Sequence, residues 1–234
     1  MGLADLHIHT IYSYDGTASV PAVLTRAKQI RLDVIAITDH DEIAGSLKAL
    51  ELAPQYGVDV IPSLEVTTAE GDLLALNVTE KIQRGRPLIE TILEVRALGG
   101  FCIAPHPIAG GFGMKSLSAY SIMKALRNHD VAGSLIGIET YNATAIDKMS
   151  NHYAHILGEH LEIAKLGSSD AHILQTIGMG MTEFAGQTAN DLIKAIHNRR
   201  TTIHKKKKWN SVRILGSWAA NYLASTFTRL TNAA

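Results

Sequence analysis

The chain has 234 residues, of which 46% are apolar and 19% charged, a composition typical of a soluble globular protein. Its one cysteine, Cys102, excludes an intramolecular disulfide, and no apolar run reaches the roughly 18 residues that a membrane-spanning helix needs. Without a signal-peptide pattern at its start, the protein is expected to be cytoplasmic.

The formal net charge of zero results from an uneven distribution. Residues 1–191 carry 13 basic against 22 acidic residues, whereas every charged residue after Asp191 is basic. An acidic body with a basic tail predicts two separate roles. An acidic body also favours the binding of metal cations.

Short apolar runs alternate with helical patterns along the chain. The runs predict strands at 3–8, 34–38, 58–64, 73–78, 101–105, 135–140, 162–169 and 177–184. Helices are predicted from Ser19-Val20-Pro21, where a cap residue precedes an early proline, and over 43–56, 87–98, 118–129, 144–160 and 189–199. Repeated βα units indicate a mostly parallel sheet, either a barrel or a doubly wound sheet. Neither a G-x-G-x-x-G motif after the first strand nor a P-loop is present, which disfavours a nucleotide-cradling sheet.

Histidines and carboxylates stand where the predicted strands end. In "DLHIHT", His7 and His9 are two positions apart and therefore share one face of the first strand. Asp15 follows the first strand in "YSYDG", and further strand ends supply Asp39, His40, Glu65, His106, Asp170 and His172. In a parallel barrel the carboxyl ends of the strands form one rim, where such enzymes perform their chemistry. Imidazole and carboxylate without thiolate suit Zn, Mn or Fe, so the sequence predicts a metal site.

Five stretches carry a resemblance to a known family: "DLHIHTIYSYDG", "VIAITDHD", "IPSLEVTT", "APHP" and "SSDAH". In this order they resemble the motifs of the polymerase and histidinol phosphatase (PHP) family of metal-dependent phosphoesterases, over about residues 1–200. The resemblance implies a distorted (β/α)7 barrel whose rim holds two to three divalent ions (Mn, Zn or Fe). We therefore predict a single PHP domain over 1–203 and a basic amphipathic C-terminal tail over 204–234.

The resemblance also implies which residues hold each ion. The first ion would be bound by His7, His9, Glu65 and Asp170, the second by Asp15, His40 and His172, and the third by the bridging Glu65 with His106. Many relatives have a histidine in the strand after the glutamate, and this position aligns here with Leu74. Leucine cannot coordinate, so the third ion would be weakly held, or completed by water or by a neighbour such as Asp72.

Other polar residues are expected to support the chemistry. Those predicted to orient the histidines are Asp5, Asp39 and Glu139. The predicted catalytic residues are Glu65, His106, Asp39 and Lys115. Lys115, Arg84 and Arg86 are the cations predicted to neutralise phosphate charge. The remaining histidines, predicted to be solvated, are His129, His152, His155, His160, His197 and His204.

The predicted function is hydrolysis of phosphate esters by hydroxide that the ions supply. Nucleotides or short oligonucleotides are favoured as substrates, and a small phosphomonoester such as histidinol phosphate is the alternative. Amidohydrolase barrels also begin with H-x-H, but they often use a carboxylated lysine at a strand end, and no lysine ends a predicted strand here. A non-catalytic metal-binding accessory module is the remaining alternative.

The tail after "KKKK" has apolar residues at helical spacing. They are Val212, Leu215, Trp218, Ala219, Tyr222, Leu223, Phe227 and Leu230. Such a helix could pack on the body or on a second subunit, or lie on an anionic membrane. Alternatively, its lysines could attract a nucleic-acid backbone to the metal rim. The sequence leaves these partners open.

Overall fold

The computed structural model describes residues 1–109, 115–145, 148–206 and 210–232. Within these ranges the chain forms ten strands and seven α-helices. The strands are β1 (Gly2–Ile8), β2 (Val34–Ile37), β3 (Asp59–Val60), β4 (Ser63–Thr67), β5 (Asp72–Leu76), β6 (Phe101–Ala104), β7 (Leu135–Asn142), β8 (Ala164–Ser168), β9 (Gly180–Phe184) and β10 (Thr201–Lys205). The helices are α1 (Val20–Gln29), α2 (Ala44–Tyr56), α3 (Leu88–Ala97), α4 (Ala119–Arg127), α5 (Lys148–Glu159), α6 (Ala189–His197) and α7 (Ser211–Asn232).

The strand predicted over 58–64 is divided in the structure. Ile61 donates its backbone N–H to Ile35 of β2, so the chain up to that point belongs with β1 and β2. Pro62 follows, and it has no N–H with which to continue the ladder. After it, β4 leaves β3 and pairs antiparallel with β5. Strand β10, which the sequence did not predict, pairs with β9 and ends at Lys205.

The ten strands form two mixed five-stranded sheets rather than the predicted distorted (β/α)7 barrel. The first sheet has the order β10-β9-β1-β2-β3 and the second the order β4-β5-β6-β7-β8. β1–β2 and β6–β7–β8 are parallel, whereas β9 is antiparallel to β1 and β5 is antiparallel to β4 and β6. The prediction of an α/β fold is therefore confirmed, and that of a (β/α)7 barrel is not, because the described strands form no closed barrel.

Side-chain hydroxyls replace the ladder where the two sheets meet. The Thr182 hydroxyl accepts from the Gly167 N–H and donates to the Gly167 carbonyl, so it occupies both groups that a paired strand would use. At the other junction the Ser63 hydroxyl donates to the Ile37 carbonyl. Among the described residues, the β-bridges between the sheets are the isolated pairs Ile8 with Ala171 and His40 with Glu65. The carboxyl ends of β1 and β2 are thereby held beside β8 and β4.

Three apolar clusters fill the protein. One includes Leu6, Leu74, Ile103 and Leu166 and draws on strands of both sheets. A second joins the second sheet to α3 and α4, and a third joins the first sheet to α1 and α2. The helices thus cover the sheets, which leaves the strand ends to carry the polar residues.

The predicted tail is described only in part. Lys207 and Lys208 lie outside the described residues, as do the side chains of Phe227 and Leu230. None of the helices in the described ranges is long and apolar enough to cross a membrane. The division at residue 203 stays a prediction, and any truncated chain should end beyond Lys205 to keep β10 whole.

Cys102 should be inert in the native protein. It is fully buried in β6, and burial raises the pKa of its thiol, which disfavours the reactive thiolate. We expect a coloured disulfide reagent to leave the native protein unlabelled and to label one thiol per chain in guanidinium chloride. Rapid stoichiometric labelling of the native protein would contradict this position of β6.

Candidate metal centre

Glu65 of β4 lies at the centre of a cluster of histidines. Its Oε2 is 3.2 Å from His7 Nε2, 3.4 Å from His9 Nε2 and 3.2 Å from His40 Nδ1. Its Oε1 is 3.2 Å from His106 Nε2. The histidines follow strands of both sheets, so the meeting of strand ends brings four imidazoles to one buried carboxylate.

Two aspartates complete the cluster. Asp170, just beyond β8, places Oδ1 3.5 Å from His7 Nε2 and 3.3 Å from His9 Nε2. Asp15, in the loop after β1, places Oδ2 3.0 Å from His172 Nε2 and 3.3 Å from His40 Nε2. The structure thus brings all eight predicted ligands to one rim.

Four overlapping sets of side chains have ligand atoms within 4.8 Å of one another. They are His9, Asp15, His40 and His172; His7, Glu65 and His106; His7, His9 and Asp170; and His40, Glu65 and Asp72. Each of the three predicted sites overlaps with one or more of these sets. The donors are nitrogen and oxygen only, which suits Zn²⁺, Mn²⁺ or Fe²⁺.

His9 tests whether the residues fit a cation. Its ring is buried, and neither nitrogen has a hydrogen-bond partner in the described part of the chain, although Asp170 and Glu65 oxygens lie 3.3 and 3.4 Å from Nε2. Burial, with the charge of His172, lowers the pKa of His9 to about 4, which leaves a neutral imidazole. A buried imidazole without partners costs free energy. A cation would provide the missing partner, so the residues fit a metal.

Glu139 of β7 fixes the orientation of His7, as predicted for it. Its carboxylate lies 2.9 Å from His7 Nδ1, accepts from the Ser168 hydroxyl and accepts from the His106 backbone N–H at 2.8 Å. With Nδ1 so occupied, Nε2 of His7 faces the cluster. Asn142 also belongs to this network, although it was not predicted from the sequence. Its Nδ2 donates to Glu139 and to Asp170 at 3.2 and 3.1 Å. Its place at the end of β7, three residues after Glu139, was the available signal.

Asp5 and Asp39 hold the loops of the site. Asp5 accepts from the backbone N–H groups of Ser169 and Gly178 at 3.0 and 2.8 Å. Asp39 accepts from the backbone N–H and the hydroxyl of Thr10 at 2.6 and 2.7 Å. Burial raises the pKa of Asp5 to about 6 and that of Asp39 to about 7. Their observed contacts place both at the base of the ligand-bearing loops, and a catalytic role for Asp39 stays a prediction.

The position aligned with the missing histidine, Leu74, is packed in the apolar core, on the strand beside Glu65 with which it pairs. Asp72 is on the same face of β5, at the end nearer the rim, and belongs to the set with His40 and Glu65. Its Oδ1 is buried and has no hydrogen-bond partner among the described residues. Burial and the charge of Glu65 raise the pKa of Asp72 to about 6. Asp72 is therefore the candidate for the ligand that the sequence analysis sought at Leu74.

The predicted phosphate-binding cations lie on the surface. Arg86 pairs with Glu90 and Glu94 at 3.0 and 2.8 Å, and Arg84 lies 3.6 Å from Asp41. The residues numbered 110–114, which precede Lys115 in its glycine-rich loop, lie outside the described chain. The Lys115 side chain is exposed. The roles of these three cations stay predictions.

Two of the candidate ligands have a left-handed backbone. His106 has a φ of 26° and Asp170 a φ of 53°. Such conformations in residues other than glycine cost on the order of 1–3 kcal/mol and concentrate at functional sites. The backbone is thus bent at two points where it presents a side chain to the cluster.

Comparison with known proteins identifies relatives of the chain. A family model of the PHP domain matches residues 5–208. An uncharacterized protein of Methanocaldococcus jannaschii is 34% identical over 161 residues, which are 64% of this chain and 88% of that protein. A phosphoribosyl 1,2-cyclic phosphate 1,2-diphosphodiesterase of Eggerthella lenta is 33% identical over 100 residues, 40% of this chain and 38% of that enzyme.

A solved structure shares the fold. It is a two-domain protein of Bacteroides vulgatus containing a predicted PHP-like metal-dependent phosphoesterase, with a TM-score of 0.66 and 19% identity. The match covers 87% of this chain and 64% of that one. At this identity the likeness concerns the arrangement of strands and helices.

Cation binding should release protons. Burial lowers the pKa values of His40 and His172, but the carboxylates of Glu65 and Asp15 raise that of His40 to about 10, and Asp15 and Asp170 raise that of His172 to about 9. Both rings are therefore protonated at pH 7 without metal. A cation must displace these protons, so affinity should rise with pH, about tenfold per unit for each displaced proton, until the pH passes the two pKa values. Calorimetry in buffers of different protonation enthalpy measures the release, and a buffer-independent enthalpy would contradict it.

Substitutions at Asp72 and at Leu74 test which of the two positions contributes to cation binding. Asp72→Asn removes the charge beside Glu65 and should lower the number of tightly bound Mn²⁺ ions or weaken one of them about tenfold or more, in line with the loss of one oxygen ligand. Leu74→His, which places an imidazole in the core, should lower the melting temperature without adding a bound ion. Equilibrium dialysis with elemental analysis checks both variants. An additional bound ion in Leu74→His would instead show that position 74 can supply the ligand that many relatives have there.

Proposed function

The chain belongs to the PHP domain family of metal-dependent phosphoesterases, and we propose that it hydrolyses phosphate esters with two to three divalent cations at the metal centre. The observation that carries the proposal is the position of Glu65 between four imidazoles, with both of its carboxylate oxygens engaged. A carboxylate in this position can serve two neighbouring cations at once. When bound, paired cations supply a nucleophile at neutral pH and clamp phosphoryl oxygens.

Different residues of the chain would have different roles in holding the cations. His7 is oriented by Glu139, and His9 presents a neutral ring. Glu65 belongs to two of the four sets and would supply negative charge to both. Asp170 and Asp15 would each supply one charge to a further set. These side chains stand at strand ends and in the loops after them, so the site would be largely preformed before substrate binds.

Nucleotides or short oligonucleotides are the proposed substrates. Tyr14 is 64% exposed, and its ring stacks on His40 with centroids 5.1 Å apart, so an aromatic surface adjoins the cluster. Tyr12, on the same loop, is also exposed. Bases stack on such rings with little regard to sequence. The Eggerthella lenta relative is by its name a diesterase of a phosphoribosyl compound, which also supports a sugar-phosphate substrate.

A screen of substrates tests the proposal directly. The purified protein with Mn²⁺ should hydrolyse bis(p-nitrophenyl) phosphate or a dinucleotide. Tyr14→Ala should raise KM for the dinucleotide more than for the nitrophenyl ester. Hydrolysis of histidinol phosphate alone would favour the phosphomonoesterase. No turnover of any ester by the metal-loaded protein would favour a non-catalytic module.

Glu65 should be the most sensitive single position. Glu65→Gln keeps the shape of the side chain but removes the charge that two cations would share. Turnover should fall by at least about 10²–10³, the scale observed when one electrostatic stabiliser is lost. Rates at saturating Mn²⁺ measure the effect, and melting curves report on folding.

His129→Gln is the matched control. His129 is exposed in a short 3₁₀ turn after α4, remote from the cluster in the sequence and outside every candidate ligand set. Its replacement should leave turnover unchanged. Wild-type turnover by Glu65→Gln would show that the carboxylate does not bridge cations.

A further inference from the structure

Helix α7 docks on the body through an unusual face. The half-buried and buried side chains recur at helical spacing and are mostly polar or aromatic: Ile214, Ser217, Trp218, Asn221, Tyr222 and Ser225. The apolar residues Val212, Leu215 and Leu223 point outward and are 81%, 58% and 69% exposed. The face of α7 toward the body thus consists mainly of polar and aromatic side chains, of which Trp218 and Tyr222 are the largest.

One contact joins α7 to the candidate metal centre. The Trp218 indole N–H donates to the backbone carbonyl of Asp15 at 2.8 Å, across 203 positions of sequence. The Trp218 ring stacks on Tyr222 with centroids 5.0 Å apart, which fixes the direction of the indole. The side chain of the same aspartate lies against His172 and His40.

The loop that carries Asp15 is held on its other side by the body. Thr17 donates its backbone N–H and its hydroxyl to the His172 carbonyl at 3.1 and 2.7 Å. Gly16 lies so close to Thr10 that an added Cβ would be 2.1 Å from its carbonyl oxygen. Trp218 thus closes a loop that is otherwise fixed by contacts on the side of the cluster.

We propose that Trp218 is a positioning residue for Asp15, and that docking of α7 is coupled to cation binding by Asp15, His40 and His172. The proposal rests on the metal centre of the proposed function. A cation that binds Asp15 in its present position favours the docked helix, and the docked helix favours that position of Asp15. Because such coupling is reciprocal, each event strengthens the other by the same factor.

The first measurement is the affinity for Mn²⁺. Calorimetry and the paramagnetic signal of the free ion both report it. Trp218→Phe keeps an aromatic ring over Tyr222 and removes the N–H donor. One of the bound ions should be held about three- to tenfold more weakly, the worth of one neutral hydrogen bond. Leu223→Ala, on the outward face of the same helix, is the matched control and should bind as the wild type does.

A double-mutant cycle distinguishes positioning from general loosening. Asp15→Asn should weaken the same ion, and adding Trp218→Phe should then have no further effect, because the group that Trp218 positions is already lost. A further loss of the same size in the double variant would overturn the proposal. Equal Mn²⁺ affinities of Trp218→Phe and the wild type would overturn it too.

Fluorescence reports the reverse direction of the coupling. In Trp209→Phe the sole remaining tryptophan is Trp218. Titration with Zn²⁺, which does not quench by paramagnetism, should change its emission with the affinity that calorimetry with Zn²⁺ gives for one of the bound ions. Binding without any emission change would contradict the coupling. Absence of divalent-ion binding by the wild type would overturn the metal centre itself, and the coupling with it.

Discussion

The burial of negative charge around Glu65 is the constraint on which the rest of the structure depends. An ionised carboxylate away from water is costly unless cations or hydrogen-bond donors surround it. Here imidazoles from both sheets surround it, so the sheets must meet where the strands end. The hydroxyls of Ser63 and Thr182 bring them together without a continuous ladder. Without metal, protons on His40 and His172 provide the balancing charge, so the same geometry serves two kinds of cation.

The identity of the candidate ligands could be predicted from sequence because it is a local property. Each ligand stands at the end of an apolar run or in the loop that follows it, and the face of a strand follows from alternation, as at His7 and His9. The closure of the sheet is not local. Whether β8 pairs with β9 depends on Thr182, a hydroxyl that satisfies Gly167 in place of a strand. An apolar run followed by a histidine is the same in a closed barrel and in two sheets, so the sequence could not distinguish them.

Leu74 and Asp72 show how far alternation goes. The two residues share a face of β5, and the sequence indicated that face correctly. Two positions along a strand correspond to about 6.6–6.8 Å, however, so the two side chains lie at different levels of that face. Leu74 pairs with Glu65 across β4 and β5, whereas Asp72 pairs with Thr67, so the register between the two strands fixes the level of each side chain. Alternation thus predicts the face of the sheet on which a side chain lies, but not how far along the strand it lies from the other ligands.

The orientation of helix α7 likewise depends on contacts between distant parts of the chain. The spacing of its apolar residues predicts a helix, and a helix forms, but Trp218 and Tyr222 face the body while Leu215 and Leu223 face outward. The rule that the apolar face packs inward fails because the surface beneath is the polar loop of Asp15, which offers a carbonyl oxygen to an indole N–H. A polar surface selects a polar and aromatic partner. The charge cluster therefore determines more than the residues around it, because its polar rim also determines which face of the last helix can dock.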